Sequence, residues 1–102
     1  MSIMIIETQN LTTTLTTGVL STPLLETNQV RTLFLNLAGG QKVAPCQMSA
    51  TVLYYVVEGK GSLHVESEQA ELQTGSLTVV PASTTLSISA TTPMRILALQ
   101  LL

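Results

Sequence analysis

Apolar and polar residues alternate singly along most of this sequence, and that period of two limits the fold more than any other feature. In Arg31-Thr32-Leu33-Phe34-Leu35-Asn36-Leu37 the three leucines share one face, because successive strand side chains point to opposite sides. Thr51 to Glu58 (Thr-Val-Leu-Tyr-Tyr-Val-Val-Glu) is dense in β-branched and aromatic residues, the types that suit a pleated surface. Further strands are predicted at Ser62 to Val65, Ala70 to Gln73, Ser76 to Val80, Thr85 to Ala90 and Arg95 to Leu101. Turn signals separate them: Gly39-Gly40, Gly59-Lys60-Gly61, Glu66 to Gln69, Thr74-Gly75 and Thr91-Thr92-Pro93. The strand at 62–65 is expected to pair back on 51–58 as a hairpin. Pro81 has no ladder donor and should end its strand. No long window repeats at helical spacing. Short strands with turns every 8–12 residues specify an all-β sandwich or barrel.

Residues 1–102 read as a single domain. Before residue 30 the alternation weakens, and the threonine-rich Leu11 to Thr17 reads as a strand or an irregular edge. Hydrophobic residues form 45% of the chain and charged ones 10%, against roughly 25% charged in an average globular protein. Disorder needs the opposite balance. So apolar a domain should carry a self-association surface, and a two-fold homodimer is expected.

Charge and cysteine usage exclude several function classes. The net charge is −2, and the four basic residues Arg31, Lys42, Lys60 and Arg95 are scattered. No basic face can be assembled for nucleic acid. No run approaches the roughly 20 apolar residues of a membrane span, and Met1 to Glu7 lacks the basic leader of a secretory signal. The single cysteine, Cys46, rules out an internal disulfide and fits a reducing, cytoplasmic setting. Glu66, Glu68 and Glu71 read as a solvated hairpin. No phosphate-binding loop occurs. With no aspartate and one histidine, a Ser–His–Asp triad cannot form.

From Gly40 onward the chain resembles the cupin superfamily, over roughly residues 30–102. Cupins carry two motifs. The first has a glycine, five residues, two histidines one residue apart, a glutamate three or four further on, and a glycine after six more. Here Gly40 is followed by five residues and then Cys46-Gln47-Met48, with Val52 and Gly59 at the next two spacings. The second motif falls on Gly75, Pro81, Ser83, Leu86 and Ala90. The glycine–proline skeleton matches at every spacing. The resemblance implies a double-stranded β-helix, a jelly-roll barrel of the cupin type.

The ligand positions depart from the family. Where cupins place three histidines and a glutamate around a divalent metal, this chain has Cys46, Met48, Val52 and Leu86. Valine and leucine have no lone pair, and methionine has a weak, soft one. Neither a two-histidine, one-carboxylate iron site nor a three-ligand zinc set can be built from them. A carboxylate left without its cation would be a stranded buried charge, costing several kcal/mol. Here that position is apolar as well, so the set reads as an apolar pocket or a filled core, with no metal or other cofactor.

Within that frame Cys46, Met48, Val52, Tyr54 and Leu86 are the candidate ligand-contacting residues. Cys46 and Met48 are also the polarizable fillers that apolar cores use. Tyr54 and Val56 should point inward with Val52, and Tyr55 outward. Tyr54 could offer its hydroxyl to a ligand or to a backbone carbonyl. His64 shares a strand face with Glu66 that looks solvent-facing, which leaves it unpaired for acid–base work. The reading that follows is a barrel that binds a small apolar molecule without metal, or a dimeric interaction domain, with no catalytic residue assigned. The alternative is a cupin enzyme (isomerase, lyase or oxygenase) working around Cys46 and Tyr54. A third class is a regulatory sensor whose DNA-binding part lies on another chain.

Overall fold

A computed structural model describes residues 3, 5–8, 19–47 and 49–102. These residues form nine strands: β1 (Val19–Glu26), β2 (Val30–Leu37), β3 (Lys42–Gln47), β4 (Thr51–Glu58), β5 (Lys60–Val65), β6 (Glu68–Gln73), β7 (Leu77–Val80), β8 (Thr85–Ala90) and β9 (Met94–Leu101). They build a five-stranded sheet, β1-β2-β9-β4-β7, and a four-stranded sheet, β3-β8-β5-β6. Every pairing is antiparallel. From β2 onward the chain supplies two interleaved sets of four strands, the jelly-roll order, with β1 added at one edge. The all-β expectation holds. No helix among the described residues is long and apolar enough to cross a membrane.

The core lies between the sheets and follows the alternation. Val52, Tyr54 and Val56 of β4 are buried, as are Met94, Ile96 and Ala98 of β9 and Leu86, Ile88 and Ala90 of β8. Leu35 and Leu37 complete the layer, with Leu33 packed at its margin. The inner face of each sheet is thereby removed from water, the main stabilising contribution in a domain of this size, and at β2 Phe34 and Asn36 on the opposite face are buried as well.

Several expectations need correction. The strand at Ser62 to Val65 does not pair back on β4. It starts at Lys60 and crosses to the other sheet, where β5 pairs with β6 and β8. Gly59 alone makes the corner, with a φ of 106°. A side chain there would run into Pro93 and the Met94 backbone, so the position is closed to anything but glycine. The turn expected over Glu66 to Gln69 narrows to Glu66 and Ser67, because Glu66 adopts a φ of 55° and lets β6 start at Glu68. β1 and β3 had no strand prediction. Each contains a proline and a register shift, between Pro23 and Leu25 and between Val43 and Cys46, which interrupts the alternation. Leu11 to Thr17 lies outside the described residues.

Candidate functional site

The two motif halves meet in the middle of the molecule. Cys46 on β3 and Leu86 on β8 are register partners, Leu86 is opposite Val65 on β5, and Val52 on β4 is opposite Val80 on β7. Val52 and Leu86 are each 1% exposed. Both therefore sit where the resemblance puts metal ligands, and both are packed core residues. The Met48 residue and the Cys46 side chain lie outside the described residues.

The donor set at these positions does not fit a divalent metal. Saturated carbon at Val52 and Leu86 cannot coordinate, and a bare cation among them would lose its hydration without replacement. No group of three or more histidine, cysteine, aspartate or glutamate side chains with metal-binding geometry occurs among the described residues. Gln100 is the buried polar residue beside this position, as the register partner of Val52. It was missed in the sequence reading, although the alternation Met94, Ile96, Ala98, Gln100 points it inward. Its neutral amide is a poor substitute for imidazole or carboxylate.

Tyr54 is buried on the inner face of the five-stranded sheet, next to Thr78 and Ala98. Tyr55 points outward, as expected. His64 lies on the outer face of the four-stranded sheet, opposite Ser87 and Gln69. A layer of packed side chains therefore separates His64 from Tyr54, and the two cannot share a proton-transfer site. His64 instead lines an open cleft of about 310 Å³ with Glu66, Thr85 and Ser87. There the Glu66 carboxylate accepts a bond from the Thr85 amide at 3.3 Å.

A second cavity, of about 200 Å³, opens where the two sheets part between β6 and β7. Leu63, Val65 and Ala70 form one wall, and Val79 and Val80 form the other. Thr78, Glu68 and Gln69 supply its polar atoms. Val65 borders Leu86 and Val80 borders Val52 in the ladders, so the cavity begins one strand away from the filled positions. None of its lining residues was a sequence candidate. Alternation set Leu63 and Val65 on the face opposite His64, but nothing local to the sequence says that β6 and β7 leave a gap between them.

No protein-family model and no curated protein matches the chain. Solved structures do. A cupin superfamily protein from Desulfitobacterium hafniense is similar over 91% of this chain and 85% of its own, with a TM-score of 0.85 and 20% identity. KdgF from Halomonas aligns with 82% of this chain and 80% of its own, at a TM-score of 0.77 and 22% identity. Salicylate 1,2-dioxygenase from Pseudoaminobacter salicylatoxidans matches 81% of this chain at a TM-score of 0.77 and 21% identity. This chain spans only 26% of that dioxygenase. The strand order, the glycine–proline skeleton and these likenesses agree: the chain has the cupin fold.

Proposed function

We propose that this protein is a small-molecule-binding cupin barrel that works without metal at the usual position and holds a slim, largely apolar ligand at the β6–β7 seam. The observation that carries the reading is the contrast between two neighbouring places. Val52 and Leu86 are packed shut, while the seam beside them leaves about 200 Å³ between apolar walls. Apolar cavities of this order accept molecules of about six carbons. The polar atoms of Thr78 and Gln69 at the rim suit a ligand with one hydroxyl-like end. The lone cysteine supports a cytoplasmic setting.

Titration of the isotope-labelled protein with 1-hexanol, followed by amide NMR, tests this. The account expects saturable shifts at Val65, Ala70 and Val80, abolished by Ala70→Phe, which fills the opening from the edge strand. Shifts confined to the His64–Ser87 cleft, or none at hexanol saturation, would refute it.

A further inference from the structure

Among the described residues that line the β6–β7 seam, Glu68 is the single ionisable one, and register fixes where it stands. Leu63 is opposite Ala70 and Val65 is opposite Glu68 in the β5–β6 ladder, and directly opposed residues project to the same side. Leu63 and Leu72 belong to the core, so the inward column of β6 runs Leu72, Ala70, Glu68 from core to rim. The small Ala70 leaves space, and Glu68 ends the column with a carboxylate. Across the seam, Thr78 and Val80 are opposite the buried Tyr54 and Val52, and both line the same cavity.

An inward charge on an edge strand also blunts that edge against other strands. The surroundings of Glu68 go further than edge protection requires. The ion pairs among the described residues are Glu26–Arg31 and Glu58–Arg95, and Glu68 is in neither. Residues 61–94 contain no lysine or arginine, while Glu66, Glu68 and Glu71 all lie in the β5–β6 hairpin that forms one wall. Lys60, at the far end of that hairpin, pairs with Gln73, about 17 Å along the strand from Val65. Hydrocarbon walls therefore open beside a group that only accepts hydrogen bonds, in a field of one sign.

We propose, on the basis that the seam is the ligand site, that it selects a free primary alkylamine in its ammonium form. The alkyl chain lies between Leu63, Val65, Ala70 and Val80, and the ammonium sits at the Glu68 carboxylate. An ammonium has three donors and no acceptor, and the acceptors at hand are the Glu68 carboxylate, the Thr78 hydroxyl and the Gln69 amide oxygen. A hydroxyl head would leave the carboxylate without a counter-charge. A carboxylate head would meet three glutamates and no cation. Alkylamines stay protonated up to about pH 10, as the lysine side chain does, so the charged form is the one present at neutral pH.

Titrating the full chain with hexylammonium chloride, 1-hexanol and sodium hexanoate at neutral pH and low salt, followed by amide NMR, separates the head groups. Hexylammonium and hexanol should both shift Val65, Ala70 and Val80. Hexylammonium should bind about three- to tenfold tighter, as a contact ion pair at a partly exposed site allows, and hexanoate should bind weakest. The preference should shrink in about 0.5 M sodium chloride. Glu68→Gln keeps the shape and should bring hexylammonium to the affinity of hexanol. Glu71→Gln removes an equal charge from the outward face, opposite Ser62, and should keep most of the preference. Glu68 is exposed at the first position of its strand, so far-UV circular dichroism of the glutamine variant should show an intact fold. Hexanol binding at the seam with hexylammonium no tighter, or a preference that survives Glu68→Gln, would overturn the proposal and leave the seam as an apolar site. No shift at the seam with either compound would remove the seam as a ligand site, and the ammonium assignment with it.

Discussion

Cys46 and Leu86 stand opposite each other in the β3–β8 ladder. Forty residues apart in sequence, they bring the two motif halves into one place, and Leu86 there is a fully buried hydrocarbon side chain. The position that would ligate a cation is thus part of the packing that holds the sheets together.

Loss of that packing should be costly. Leu86→Ala is expected to destabilise the fold by about 2–5 kcal/mol, the range for a buried leucine whose cavity cannot collapse. Val52→Glu should cost at least as much, because it buries a carboxylate with no cation to meet it. Urea unfolding followed by circular dichroism measures both. Near-neutral values would mean that these side chains are not in the core.

Backbone geometry separates two glycines of the skeleton. Gly59 has a φ of 106° and faces the Met94 Cα at 2.8 Å from where a Cβ would sit, whereas Gly75 has a φ of 91° and open space around it. Gly75→Ala should cost about 1–2 kcal/mol from conformation alone. Gly59→Ala adds a backbone collision and should cost clearly more, with a lower urea midpoint as the measure.

Most of the fold was legible in the residues. Alternation located β2 and β4 to within a residue, and the resemblance, by setting Val52 inside, oriented Tyr54 inward and Tyr55 outward as observed. What local pattern could not reveal was partnership. Nothing in Glu58-Gly59-Lys60 distinguishes a hairpin from a corner that changes sheets, so β5 was paired with the wrong strand. β1 and β3 were hidden by Pro23 and Pro45. The seam cavity was illegible for the same reason, since it arises from two edges that fail to meet.

Arg95 should matter through its stacking more than through its ion pair. Its guanidinium covers Phe34, whereas its partner Glu58 is 3.6 Å away and largely exposed. Arg95→Ala is expected to cost about 1–3 kcal/mol, from the lost cation–π contact and the uncovered ring. Glu58→Gln should cost less than about 1 kcal/mol, as exposed pairs do. Thermal unfolding of the two variants decides the order, and equal losses would assign the stability to the salt bridge.

Metal content of the purified protein is the most direct test. After incubation with excess iron, zinc, manganese, nickel and copper salts, followed by desalting, elemental analysis should find far less than one ion per chain, with an unchanged melting temperature. A stoichiometric transition metal that raises the melting temperature and is lost on chelation would contradict the account. Hydrocarbon at Val52 and Leu86 would then not be what governs this barrel's interior.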